Sequence, residues 1–117
     1  MANLLQETNE VLLENGYKWE DVNFIGSADG EYSCTYEEFK VLADVEYNDG
    51  YGGQEVASDL VIRLNDGGLL YRHEYDGAEE WYVHKPIPVG VEIKKIKRLT
   101  GGSWDDLKTL NKENTNG

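Results

Sequence analysis

Two turn signals in close succession constrain this chain more than any other feature. Asn65-Asp-Gly-Gly68 and Asp76-Gly77 suit the positive backbone angles of tight hairpin turns. Around them lie three short runs rich in β-branched and aromatic residues: Asp59-Leu-Val-Ile-Arg-Leu64, Leu69 to Tyr75, and Glu80 to Lys85. Strands joined by such short turns must run antiparallel. The sequence therefore predicts a meander, ended by Pro86 and Pro88, which lack the amide proton a ladder needs.

The flanks supply helices. Asn3 and Gln6 form a capping pattern ahead of Leu4, Leu5, Val11 and Leu12, and Gly16 suits the position just past a helix end. Thr35-Tyr-Glu-Glu38 is a capping box, which predicts a second helix over roughly 36–47. The alternation of Val22, Phe24 and Gly26 predicts a short strand between the two. Val89 to Leu99 alternates at Val89, Val91 and Ile93 and reads as a fourth meander strand, with a short helix as the competitor. Ser103-Trp-Asp-Asp106 opens a short terminal helix over Trp104 to Asn111, after which the chain should fray. The expected fold is α+β: an antiparallel meander of three to four strands covered by the N-terminal and central helices. It forms a single domain over 1–112 with a frayed tail over 113–117.

Charge narrows the function. The net charge is −12 over 117 residues. Residues 1–84 hold 19 Asp and Glu against four basic residues, a net of −15, whereas 85–117 carry +3. Such a field repels nucleic acid and anionic membranes and attracts basic partners, although acidity can also serve solubility alone. A single cysteine, Cys34, rules out an intramolecular disulfide. The acidic N-terminus is unlike a signal peptide, and no apolar run approaches the roughly 20 residues of a spanning helix. A soluble cytoplasmic protein is expected.

The densest stretch is YRHEYDGAEEWYVHKP, 71–86. A two-residue loop at Asp76-Gly77 sets His73 opposite Glu80 and leaves His84 roughly 13 Å further along. A four-residue loop would make the histidines diagonal neighbours at about 7–8 Å, able to share zinc with Cys34 or a carboxylate. No metal-ligand spacing supports this, and no cofactor is expected. Asp44, Glu46, Asn48 and Glu55 match ligand positions of a calcium loop, but Asp49 stands where that loop requires glycine. Cys34 precedes a helix N-terminus, where a thiolate is favoured, yet lone cysteines commonly pack as small apolar residues. No carboxylate pair stands out, and no catalytic residue is assigned. The favoured hairpin loop turns Trp81 and Val83 toward the core, with Leu70 opposite Val83. Recognition fits better than catalysis: Glu74, Tyr75, Asp76, Glu79 and Glu80 form an acidic tip. Glu46, Tyr47, Asp49 and Tyr51 join it from a glycine-rich loop, with Tyr47, Tyr51 and Tyr75 exposed.

The segments EEFKVLADVEYNDGYGGQEVASDLVI and LLYRHEYDGAEEWYVHK resemble a group of small acidic proteins of phages and mobile elements in Gram-positive bacteria. These share a capped helix leading to Tyr-x-x-Gly-Tyr-Gly-x-x-Glu, then a strand and an Arg-x-Glu-Tyr-Asp-Gly-x-Glu-x-Trp hairpin. The likeness covers roughly 19–85, with Ala78 and one extra acid before Trp81 as departures. It implies an inhibitor of host defence, such as an anti-CRISPR protein that mimics DNA, with Cas9 as the first candidate partner. The alternatives are a small zinc protein or enzyme using His73, His84 and Cys34, and a structural or regulatory phage protein with no inhibitory role.

Overall fold

A computed structural model describes residues 1–50 and 53–112. The chain divides into two compact units, Met1–Ile87 and Pro88–Gly117. The architecture is α+β, as the turn and cap signals require.

The first unit opens with strand β1 (Ala2–Asn3) and helix α1 (Leu4–Glu14). Asn3 caps α1 by accepting the Gln6 amide at 3.0 Å. Gly16, at φ 81°, releases the chain from it. A single 3₁₀ turn, Trp19–Asp21, leads into β2 (Val22–Ser27). Helix α2 (Tyr36–Leu42) begins at the Thr35–Glu38 capping box, both of whose hydrogen bonds form. It is shorter than the 36–47 expected. Beyond Ala43 the backbone pairs instead with the N-terminus, so β3 (Glu46–Tyr47) lies antiparallel to β1. The meander is β4 (Leu60–Leu64), β5 (Leu69–Tyr75) and β6 (Ala78–His84). With β2 it makes a four-stranded antiparallel sheet of order β2-β4-β5-β6.

Asp76 and Gly77 take φ of 53° and 86°, the two positive angles of a two-residue type I′ loop. The β5–β6 register follows: Tyr75 faces Ala78, His73 faces Glu80, and Leu70 faces Val83. One face of the sheet carries Ile25, Ile62, Leu64, Leu70 and Trp81 into a core shared with Leu4 and Leu12 of α1 and Phe39 of α2. The edge at β2 is covered by the 32–34 segment. The Ser27 and Cys34 amides bond to Tyr32 and Ile25 carbonyls at 2.9 Å. Gly26 makes this possible, since a methyl there would fall on the Tyr32 carbonyl oxygen.

The second unit departs from expectation. Val89–Leu99 joins no sheet among the described residues. Lys94 and Lys95 break its alternation, and Pro86 and Pro88 remove ladder donors at its entrance. Helix α3 (Leu107–Leu110) starts later than expected, capped by Asp106, which accepts the Thr109 amide at 2.8 Å. Trp104, at φ 71°, cannot belong to a right-handed helix. The Asn111 side-chain oxygen accepts the Lys97 and Arg98 amides at 2.6 and 2.8 Å, folding this unit back on itself. The expected frayed tail, 113–117, lies outside the described residues.

Candidate functional site

The acidic site expected at the hairpin separates into a displayed part and a buried part. Strand parity decides which residue goes where. Tyr71, His73, Tyr75, Glu80, Tyr82 and His84 stand on the outer face of β5 and β6. Arg72, Glu79 and Trp81 point inward. Glu74 is exposed and steadies the turn by accepting the Gly77 amide at 2.7 Å. Asp76 and Glu80 are exposed, and Tyr75 is 77% exposed at the tip. Glu46 is also exposed and Asp49 is half-buried.

Tyr47 and Glu79 correct the expectation. Tyr47 is only 6% exposed, because pairing with β1 turns its ring inward. Its hydroxyl donates to Glu7 and accepts from Arg72 Nη2 at 3.0 Å. Burial, and then the bond to Glu7, push that hydroxyl far above the ordinary tyrosine range, so it stays protonated. Glu79 is 3% exposed and ion-paired with Arg72 at 2.9 Å. Arg72 also pairs with Glu7 at 2.8 Å. Its guanidinium stands 4.8 Å from the Trp81 ring centroid, a cation–π distance. Burial by itself would lower the Arg72 pKa. The hydrogen bonds to Glu7, Tyr47 and Glu79 outweigh it and hold the group above its ordinary value. Trp81 Nε1 completes the cluster by donating to Thr8 Oγ1 at 2.8 Å, and Thr8 donates to the Leu4 carbonyl at 2.7 Å.

Glu79 has a second task. Its carboxylate accepts the Glu55 and Val56 amides at 2.6 and 3.3 Å, and its own amide donates to the Asp49 carbonyl at 3.0 Å. Glu55 in turn accepts the Asn48 amide. The connection after β3 is therefore fastened to β6, which ties Glu46 and Asp49 to the hairpin. Tyr51, the remaining member of the expected site, lies outside the described residues. Sequence reasoning missed Arg72, Glu7 and Thr8. Parity was the available signal: Arg72 alternates with Leu70 and faces Trp81 across the strand pair.

The two-residue loop keeps His73 and His84 apart. His73 stacks flat on Tyr82, with centroids 4.0 Å apart and planes at 9°, while His84 faces Leu69. Among the described residues, no three His, Cys, Asp or Glu side chains converge on a metal position. Cys34 is half-buried beside β2. Burial, aided by Glu38, pushes its thiol above the ordinary value, which fits the packed apolar cysteine rather than a thiolate at the start of α2. Cys34 is expected to react with a disulfide reagent several-fold more slowly than free cysteine at mildly alkaline pH. In urea its rate should approach that of the free thiol. Equal rates in the folded protein would contradict this environment.

No helix among the described residues is long and apolar enough to cross a membrane. No family model, curated protein or solved structure matches this chain.

Proposed function

We propose that this protein is a phage- or mobile-element-encoded inhibitor that binds the basic nucleic-acid groove of a host defence nuclease in the bacterial cytoplasm. A CRISPR nuclease of the Cas9 type is the first candidate. The observation that carries the proposal is the acidic surface of the first unit. Residues 1–87 hold 19 Asp and Glu against five Lys and Arg, a net of −14. Arg72 is buried with Glu79 and the largely buried Glu7, and without this cluster 17 Asp and Glu remain against four Lys and Arg, a net of −13. Asp76 stands in the two-residue turn and Glu74 beside it at the end of β5, and the Asp49–Glu79 bond fastens the Glu46 strand's continuation to the same hairpin. Carboxylates held on a rigid frame lose little entropy on meeting lysines and arginines that otherwise grip phosphates.

Binding of the full chain to such a nuclease should be measured over a series of salt concentrations. The association rate is expected to fall steeply as salt rises. The triple variant Glu46→Lys, Glu74→Lys, Asp76→Lys should slow association by about tenfold or more and abolish protection of phage in plaque assays. Tight binding that ignores both salt and these reversals would exclude charge mimicry.

A further inference from the structure

The outer face of the four-stranded sheet differs from the rest of the first unit. At its centre are Tyr71 and Tyr82, 36% and 38% accessible and packed edge-on at 5.9 Å, with His73 stacked on Tyr82 and Tyr75 exposed at its hairpin end. Of the strand residues on this face, Arg63 and Glu80 carry the formal charges, and these cancel. Arg63 donates through Nε to Asn23 at 2.7 Å and stands 5.1 Å from the Phe24 ring centroid. No carboxylate among the described residues pairs with it.

We propose that this face is the interface between two copies of the chain. The occupant follows from charge. A unit of net −14 repels its own copy over most of its surface. The sheet face is a locally neutral area where two copies approach without that cost. It also carries charges of both signs in a self-complementary arrangement, as a two-fold interface requires.

The register supplies the geometry. Val61, Tyr71 and Tyr82 form one row across β4, β5 and β6. Arg63, opposite Leu69, lies on β4 one step to one side of that row. Glu80, opposite His73, lies on β6 one step to the other side. The two are diametrically opposed across Tyr71, each about 8 Å from it at ordinary strand spacing and rise. Consider a two-fold axis between the sheets that passes over Tyr71 at right angles to this diagonal. It sets Arg63 of each copy against Glu80 of the other. The strands then cross at about 70°, close to the orthogonal mode of sheet packing. Tyr71 meets its own copy on the axis, with Tyr82 beside it. The face measures about 20 Å on each side, at the small end of specific interfaces, so the dimer is a reversible one.

Sedimentation of the full chain, from low to high micromolar protein, tests the proposal. A concentration-dependent monomer–dimer equilibrium is expected. Arg63→Glu or Glu80→Arg alone sets like charges together twice per dimer and should weaken association by roughly a hundredfold. The double variant Arg63→Glu, Glu80→Arg should restore it. Both positions are exposed strand sites, and circular dichroism verifies that each variant is folded. A chain that stays monomeric at every concentration overturns the proposal, as does a dimer indifferent to the single reversals or not rescued by the double one. A monomer whose nuclease binding is lost in Tyr82→Glu would assign this face to the nuclease instead, and would also overturn it.

Discussion

Arg72→Met is expected to destabilise the protein by about 3–5 kcal/mol, because it leaves buried carboxylates facing an apolar side chain. Arg72 is enclosed, with no side-chain exposure, and its two partners are unequally placed. The Glu79 side chain is fully buried, whereas that of Glu7 is 18% exposed. Glu79→Ala should therefore cost more than Glu7→Ala, since solvent can relieve only the second site. It should also free the Glu55 and Val56 amides, which Glu79 holds. Urea denaturation gives the stabilities. Hydrogen exchange should show loss of protection at residues 55 and 56 in Glu79→Ala but not in Glu7→Ala. Equal costs, or unchanged exchange at those amides, would mean that the carboxylate does not clamp this connection. The result bears on function, because the same clamp fastens Asp49 to the hairpin.

Trp81→Ala is expected to cost about 3–5 kcal/mol, the usual loss for a large aromatic removed from a core. Trp81 is 5% exposed and packs with Leu4, Leu12 and Leu70. Its removal also takes away the indole donor to the fully buried Thr8 hydroxyl and the ring beneath the Arg72 guanidinium. Trp81→Phe keeps most of the apolar volume and loses the indole donor, so its cost should be clearly smaller. Combining Trp81→Phe with Thr8→Val, which removes both hydrogen-bonding groups, should recover part of that cost. Thermal or urea unfolding of the four proteins checks the order. A Trp81→Phe as damaging as Trp81→Ala would place the energy in the hydrogen bond rather than in packing.

The hairpin was legible because its chemistry is local. Asp76-Gly77 specifies a two-residue loop, and that loop sets every pairing between β5 and β6. The caps at Asn3 and Thr35 were legible for the same reason, since each is satisfied within three residues. The end of α2 was not legible. Its stop depends on β3 pairing with β1, more than forty residues away in sequence, and nothing local marks Glu46 and Tyr47 as strand rather than helix. The Val89–Leu99 reading failed in the opposite way. Its alternation is real, but a strand pattern becomes a strand only when an edge accepts it.

The acidic site shows the same division. Sequence alone determined that the chain is strongly acidic and folds around an antiparallel hairpin with carboxylates at its tip, because charge and turn chemistry are properties of neighbouring residues. Only the tertiary structure decided which carboxylates face outward. Glu79 and Glu80 are adjacent and chemically identical, yet parity sends one to Arg72 in the core and leaves the other on the open face. Tyr47 is drawn inward by Glu7 and Arg72, which lie 40 and 25 residues away. A buried ion pair forms where long-range packing brings opposite charges together and excludes water, and no local pattern records that meeting.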